Sequence, residues 1–169
     1  GSVADGDVFV VAPTNATDTT ILAQADQFYG TSWFNGDDAV VFRKNGVILD
    51  SIGKIAEEIE WGSGDTSTKD NTLRRKESIC SGDTDPNDVY DPSLEWIGYP
   101  LNTFDGLGSH TADCGPVEVF PTELFFSEYI EGSSSNKALE IYNGTGAPVD
   151  LQGYRVVLYT NGSTTPGNT

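Results

Sequence analysis

Phe34-Asn-Gly-Asp-Asp-Ala-Val-Val-Phe-Arg-Lys-Asn-Gly-Val-Ile-Leu-Asp-Ser-Ile-Gly53 reads as a β-hairpin, and the rest of the chain is organised around it. Two runs of β-branched and aromatic residues, Ala39 to Phe42 and Val47 to Ile52, are separated by Arg43, Lys44 and the pair Asn45-Gly46. Asn and Gly both tolerate positive φ, so the pair suits a type I′ turn that fixes the register of the two strands. A lone hairpin is marginal in water, and this one therefore needs further strands or a helix over its apolar face.

Upstream, Asp7 to Ala12 is an apolar run that ends at Pro13 and reads as a buried strand. Asp18 is placed to cap a helix over Thr19 to Gln27, whose Ile21, Leu22 and Ala25, with Phe28 beyond, form an apolar stripe that Gly30 ends. Downstream, Lys54 to Glu60 fits either a helical turn or a continuation of the strand. Asn71 to Ile79 sets Leu73 among charges and reads as an edge strand, since such charges discourage edge pairing. Glu95-Trp96 starts another ordered segment, and the Gly-rich Asn102 to His110 is expected to pack Phe104 and Leu107 onto the sheets. Prolines, Gly and Cys between Ala112 and Thr122 mark a linker. Beyond it, Glu123 to Tyr129, Ala138 to Tyr142 and Tyr154 to Tyr159 read as strands, Val149 to Leu151 as a bend, and Thr160 to Thr169 as a polar tail. At least eight short strands at this spacing predict an all-β sandwich with one short helix.

A chain of 169 residues suffices for one domain with a real core. Its 26 acidic against 9 basic residues give a net charge of −17, which repels phosphate backbones and anionic membranes. Such a surface fits a secreted or salt-exposed protein, or one that binds cations. There is no Met, no long apolar run and no signal-peptide pattern, so the sequence reads as a mature segment without membrane insertion. Cys80 and Cys114 lie in turn-rich surroundings without the paired spacing of a zinc site, which predicts one disulfide and an oxidising, extracellular compartment. Asn15, Asn143 and Asn161 each open a glycosylation sequon, a match that chance readily supplies in a chain rich in Asn, Gly and Thr.

The segment Leu124-Phe-Phe-Ser-Glu-Tyr-Ile-Glu-Gly-Ser-Ser-Ser-Asn-Lys-Ala-Leu-Glu-Ile-Tyr-Asn-Gly-Thr-Gly-Ala-Pro-Val-Asp-Leu-Gln-Gly-Tyr154 closely resembles the opening of a lamin-tail domain of the bacterial secreted type. Asn35-Gly-Asp-Asp-Ala-Val-Val, Asp50-Ser-Ile-Gly, Trp61-Gly, Asn71-Thr-Leu-Arg-Arg-Lys and Asn102-Thr-Phe-Asp-Gly-Leu-Gly-Ser-His resemble later landmarks of that family. The resemblance implies an immunoglobulin-like β-sandwich, but in circularly permuted order. Residues 3–113 resemble the C-terminal part of the domain, 114–122 form a linker, and 123–169 resemble the N-terminal part. Two parts of successive repeats, closure into one permuted sandwich, and a domain-swapped dimer all fit this order. Closure is favoured, because each part alone leaves an unpaired edge and an uncovered apolar face. The strand joining the end of the chain to its beginning is missing or shortened in this order, which leaves a gap open to a partner strand. Modules of this kind stand beside extracellular nuclease or phosphatase domains and in adhesins, so the resemblance implies an accessory role.

No catalytic set emerges from the residues. His110, the sole histidine, has no Ser or Cys nucleophile pattern near it and reads as a solvated loop residue. The pairs Asp37-Asp38, Glu57-Glu58 and Glu128/Glu131 are what 26 acids produce without an acid–base function, and Asp37 and Asp38 are expected to shape the turn into the hairpin. Asp83, Asp85, Asn87 and Asp91 alternate in a loop as oxygen ligands of Ca²⁺ would, though without the Gly and distal Glu of an EF-hand; a run of Asx turns is the alternative. Arg74-Arg75-Lys76 is too small for a nucleic-acid footprint and is expected to pair with acids. Trp33, Trp61, Trp96 and the tyrosines serve either as core or as a stacking platform for sugars or bases. The expected function is a non-catalytic extracellular module that positions a flanking enzyme or joins neighbouring repeats. A calcium-stabilised module binding a polysaccharide or cell-surface ligand comes second, and a secreted hydrolase domain third.

Overall fold

The computed structural model describes residues 1–31, 33–115 and 120–167. In chain order these form β1 (Ser2–Val3), β2 (Val8–Ala12), α1 (Thr19–Gln24), β3 (Gln27–Phe28), β4 (Ala39–Lys44), β5 (Val47–Ile52), a 3-10 turn at Gly64–Thr66, β6 (Asn71–Arg75), α2 (Pro92–Glu95), β7 (Trp96–Pro100), β8 (Phe125–Glu131), β9 (Lys137–Tyr142), β10 (Val149–Asp150) and β11 (Tyr154–Tyr159). The all-β expectation holds, with two short helices where one was expected. Residues 116–119 of the expected linker and 168–169 of the tail lie outside the described residues.

β4 and β5 form the predicted hairpin, and Asn45 (φ 50°) and Gly46 (φ 86°) both take the positive φ that a type I′ turn requires. β11 pairs antiparallel along the whole of β4, from Tyr154 opposite Lys44 to Tyr159 opposite Ala39. The order β11-β4-β5 makes β4 internal and leaves β5 at an edge. A second sheet runs β3-β2-β9-β8-β6-β7, antiparallel except for the short β2–β3 pair, and β1 pairs with β10 as a small separate ribbon. Four pairings, β1–β10, β2–β9, β4–β11 and β6–β8, each join a strand from the first 113 residues to one from residues 123–159.

The two larger sheets face each other across one apolar cluster. Val40, Phe42 and Ile52 from the smaller sheet meet Leu73, Trp96, Phe126, Tyr129, Leu139 and Ile141 from the larger one. The Phe42 and Phe126 rings lie 5.4 Å apart across the interface. The sheets are also joined by a buried ion pair: Asp50 on β5 and Arg75 on β6 meet at 2.6 Å with neither side chain exposed. Asp50 additionally accepts backbone N–H bonds from Ser51, Asp83 and Phe126, so its charge is met from four directions. Arg75 reaches Glu95 at 2.8 Å and lies 4.4 Å over the Trp96 ring.

That ion pair corrects the reading of β6 as an edge strand. β6 lies between β7 and β8, with Leu73 and Arg75 buried, because its charges are neutralised by internal partners and need no solvent. The outer face of the larger sheet buries Val8, Val10, Ala12, Phe125, Ile130, Ala138 and Tyr142 beneath α1 and the loop bearing Phe104 and Leu107. Asp18 caps α1 as predicted, but the helix ends at Gln24. Of its stripe only Ile21 is fully buried; Leu22 and Phe28 are 44% and 42% exposed, because the chain turns into β3 and leaves the helical period. Lys54 to Glu60 is neither helix nor strand but an irregular turn with Ala56 at φ 69°. On the outer face of the smaller sheet, Trp61 packs with Ala39, Val41, Val157 and Tyr159, its ring against Gly53, where any Cβ would collide and φ is +77°.

Candidate functional site

The two inter-sheet strands β2 and β11 are buried the wrong way round. Along β2, Val8, Val10 and Ala12 on the outer face are buried, whereas Phe9, which faces the core between the sheets, and Val11 are half-exposed. Along β11, Val157 and Tyr159 on the outer face are buried, whereas Tyr154, Val156 and Leu158 on the core side are half-exposed. Inward side chains are normally the drier set in stacked sheets. Here they line a cleft of about 370 Å³ between β11 and the β2–β9 end of the larger sheet. Phe42, Leu139 and Ile141 line it from the shared core, and Tyr29, Trp33 and Gln27 from the segment that follows α1. Trp33 is held by its indole N–H on the Tyr29 carbonyl at 2.7 Å and by contact with Phe34, whose ring stacks on Tyr129 at 4.5 Å.

β11 is the edge of its sheet on this side. The Leu158 carbonyl accepts from Gly167 N–H at 2.8 Å, outside the β4 ladder, and the Tyr154 N–H donates back to the Leu151 carbonyl. Backbone groups alternate in direction along a strand, so Val156 N–H and C=O also point away from β4. Among the described residues they take no backbone partner. At one end of the cleft, Tyr154 stacks on Phe42 at 5.5 Å and its hydroxyl meets Glu123, which also pairs with Lys44 at 2.8 Å. Burial alone would raise the Glu123 carboxyl, but the hydrogen bonds from Lys44, Tyr154 and the Leu124 N–H hold it below its usual range.

The other candidate residues are placed as follows. Asp83 accepts the N–H of Asp85, Asp85 that of Asn87, and Asp91 caps α2 through Ser93, so the four proposed calcium ligands form successive Asx turns and a cap. Asp83 and Asp85, with some burial between them in weight, raise the Asp88 carboxyl above its usual range. Among the described residues no group of three or more His, Cys, Asp or Glu side chains is arranged to hold a metal ion. Cys80 and Cys114 are bonded, half-buried, with Cα atoms 5.8 Å apart. Arg74 is spent on Glu128 (3.3 Å), Asp105 (2.5 Å) and the Tyr99 ring, Arg75 on the core ion pair, and Lys76 on the carbonyls of Ser93 and Leu94.

His110 is not the solvated residue expected. It sits edge-on to Tyr142 (4.9 Å) and Phe125, and burial, with help from the Arg75 charge, pushes its pKa down to about 4. Two acids that sequence reasoning passed over as a pair, Glu128 and Glu140, face each other across β8 and β9 beneath the Gly-rich loop. Burial pushes Glu128 up to about 8 against the pull of Arg74, and Glu140, also raised by burial, accepts from Ser127 Oγ and Gly108 N–H. The spacing of the two in sequence carries no signal of this, because it follows from strand register and a bulge at Ser127. Asp38 accepts the Asn161 N–H from beyond β11. Asn143 is fully buried, its amide donating to the carbonyls of Val3, Ala4 and Ala147, so this sequon tethers β1 and is closed to a glycan in the folded chain. Trp61 and Trp96 are core; Trp33 alone of the three tryptophans lines the cleft. Compared with protein-family models, curated proteins and solved structures, the chain matches none.

Proposed function

We propose that this chain is a non-catalytic extracellular module, an immunoglobulin-like sandwich of lamin-tail type in permuted order, that tethers or positions a neighbouring enzyme domain or joins repeats. The observation that carries the reading is the open apolar cleft beside the unpaired edge of β11, a surface suited to holding another polypeptide. The disulfide suits an oxidising compartment, and no helix among the described residues is long and apolar enough to cross a membrane. The charged side chains of the interior are engaged in tying strands together, as Asp50 and Arg75 do. The purified protein is expected to leave nucleic acid, phosphoesters and glycans unchanged. Turnover of any of them that is lost on replacing a carboxylate such as Glu128 or Glu140 would overturn the reading.

A calcium-stabilised module that binds a polysaccharide or cell-surface ligand is the second reading. It draws on the crowding of Asp83, Asp85 and Asp88, which a cation would relieve. A melting temperature that rises with calcium and falls with chelator supports it, because an ion bound only by the folded state stabilises by mass action; equal melting temperatures remove it.

A further inference from the structure

The cleft and the β11 edge specify the chemistry of what fills them, and the following rests on the reading of this chain as an interaction module. We propose that β11 accepts an extended peptide segment of a partner protein as an additional antiparallel strand, with apolar side chains entering the cleft and a carboxylate facing Arg155. Three independent features converge on this occupant.

The first is the backbone. Val156 presents both its N–H and its C=O outward, the pair of groups that an added antiparallel strand exchanges with one of its own residues. The second is the half-exposed inner face: a residue opposite Val156 projects to the same side of the sheet as Val156, into the space bounded by Phe9, Trp33 and Ile141. Its neighbours in the peptide project to the other side. The third is charge. Arg155 is exposed and lies directly opposite Arg43 in the β11–β4 register, and neither makes an ion pair with a carboxylate among the described residues. The Arg43 guanidinium turns along the strand onto the Tyr159 ring and hydroxyl, so Arg155 is left as an exposed positive site in a chain of net charge −17, and a carboxylate opposite it on the added strand complements it. Gly167 already bonds to Leu158, so the added strand has its register limited to the Tyr154–Val156 portion of the edge. The segment that fits is apolar–acidic–apolar, its first apolar residue opposite Val156 and its acid opposite Arg155.

The test uses the whole chain and a fluorescein-labelled, end-blocked peptide, Thr-Val-Glu-Val-Thr, read by anisotropy and by Trp33 emission. Saturable binding is expected. Methylating the amide nitrogen of the first Val, which deletes the hydrogen bond to the Val156 carbonyl, should weaken it by roughly tenfold or more. Changing the peptide Glu to Lys should weaken it by a similar factor, and R155E should restore the Lys peptide while rejecting the Glu peptide. Arg155 is exposed, so an unchanged melting temperature certifies that R155E folds. Equal affinity for the methylated peptide, or a charge preference that ignores position 155, would overturn the proposal. A concentration-dependent dimer of the protein alone that excludes the peptide would give the edge to a second copy, and displacement by a glucan oligosaccharide would make the cleft a sugar site; either also overturns it. A peptide that fails to bind overturns the strand-addition proposal while leaving the non-catalytic reading standing, since turnover decides that separately.

Discussion

Arg75 is about the last residue one would expect to find in the middle of this core, and its placement rests on Asp50 and Glu95. Removing one member of a buried pair strands the other charge, which typically costs about 3–5 kcal/mol. Arg75→Met should therefore lower stability by that amount in urea denaturation, and Asp50→Asn in the same background should recover part of the loss. A cost near zero for Arg75→Met would mean that the pair does not join the sheets. Glu128 makes a prediction with the opposite sign from the usual carboxylate. Folded, it holds its proton up to about pH 8; unfolded, it loses it near 4.5, so between these values the folded state binds more protons and stability falls as pH rises. The slope from this one group is at most about 1.4 kcal/mol per pH unit. Glu128→Gln should remove it, so the difference in urea midpoint between variant and parent should grow from pH 5 to pH 8 in favour of the variant. At the scale of single residues the sequence was a poor guide to these two. It shows that acids and bases exist to pair, but partners 25 and 54 positions away are chosen by strand register.

Elements were more legible, because their signals are local. The Asn45-Gly46 turn, the strand before Pro13 and the Asp18 cap all follow from backbone preferences of the residues themselves, and all are present. β6 was misplaced because a charged strand reads as solvated, and nothing within Asn71–Arg75 reveals that the charges are met from β5, β8 and α2. The helix α1 ran short for a related reason: Leu22 and Phe28 keep the helical spacing, yet β2 recruits the chain from Gln27 onward as β3. The Cys80–Cys114 bridge fastens the end of the segment after β6 to the far end of the loop that carries Leu107, with Asp113 N–H on the Glu77 carbonyl beside it. Replacing both cysteines by Ser should cost about 2–4 kcal/mol, the usual value for opening a loop of this length. It should also speed amide exchange first at residues 104–112 and at the outer-face strands beneath them, measured by hydrogen–deuterium exchange. Uniform loss of protection across both sheets would contradict that local role.

For the whole molecule, every sheet draws on both ends of the chain. The protein should therefore sediment as a monomer and unfold in one cooperative transition, with fluorescence and far-UV circular dichroism coincident. A chain cut after residue 113 should show no such transition. A stable dimer that exchanges residues 123–159 between molecules would be the outcome that contradicts closure within one chain. The open cleft was not legible in the sequence, because its walls, floor and bare edge follow from which faces of β2 and β11 are dry, and that is decided by how the two sheets stack.

The pairings β1–β10, β2–β9, β4–β11 and β6–β8 also bear on how the chain comes to be folded as it is made. A ribosome releases the N-terminal part first, and when residue 113 emerges only the β4–β5 and β6–β7 ladders and the short β2–β3 pair can have formed. Apart from the local β8–β9 hairpin, the remaining ladders form only after long loops close, and such closure is the slow step in β-rich topologies. The larger sheet cannot be completed until β9 is synthesised, nor the smaller one until β11 is, so exposed strand edges persist until residues 125–159 have emerged.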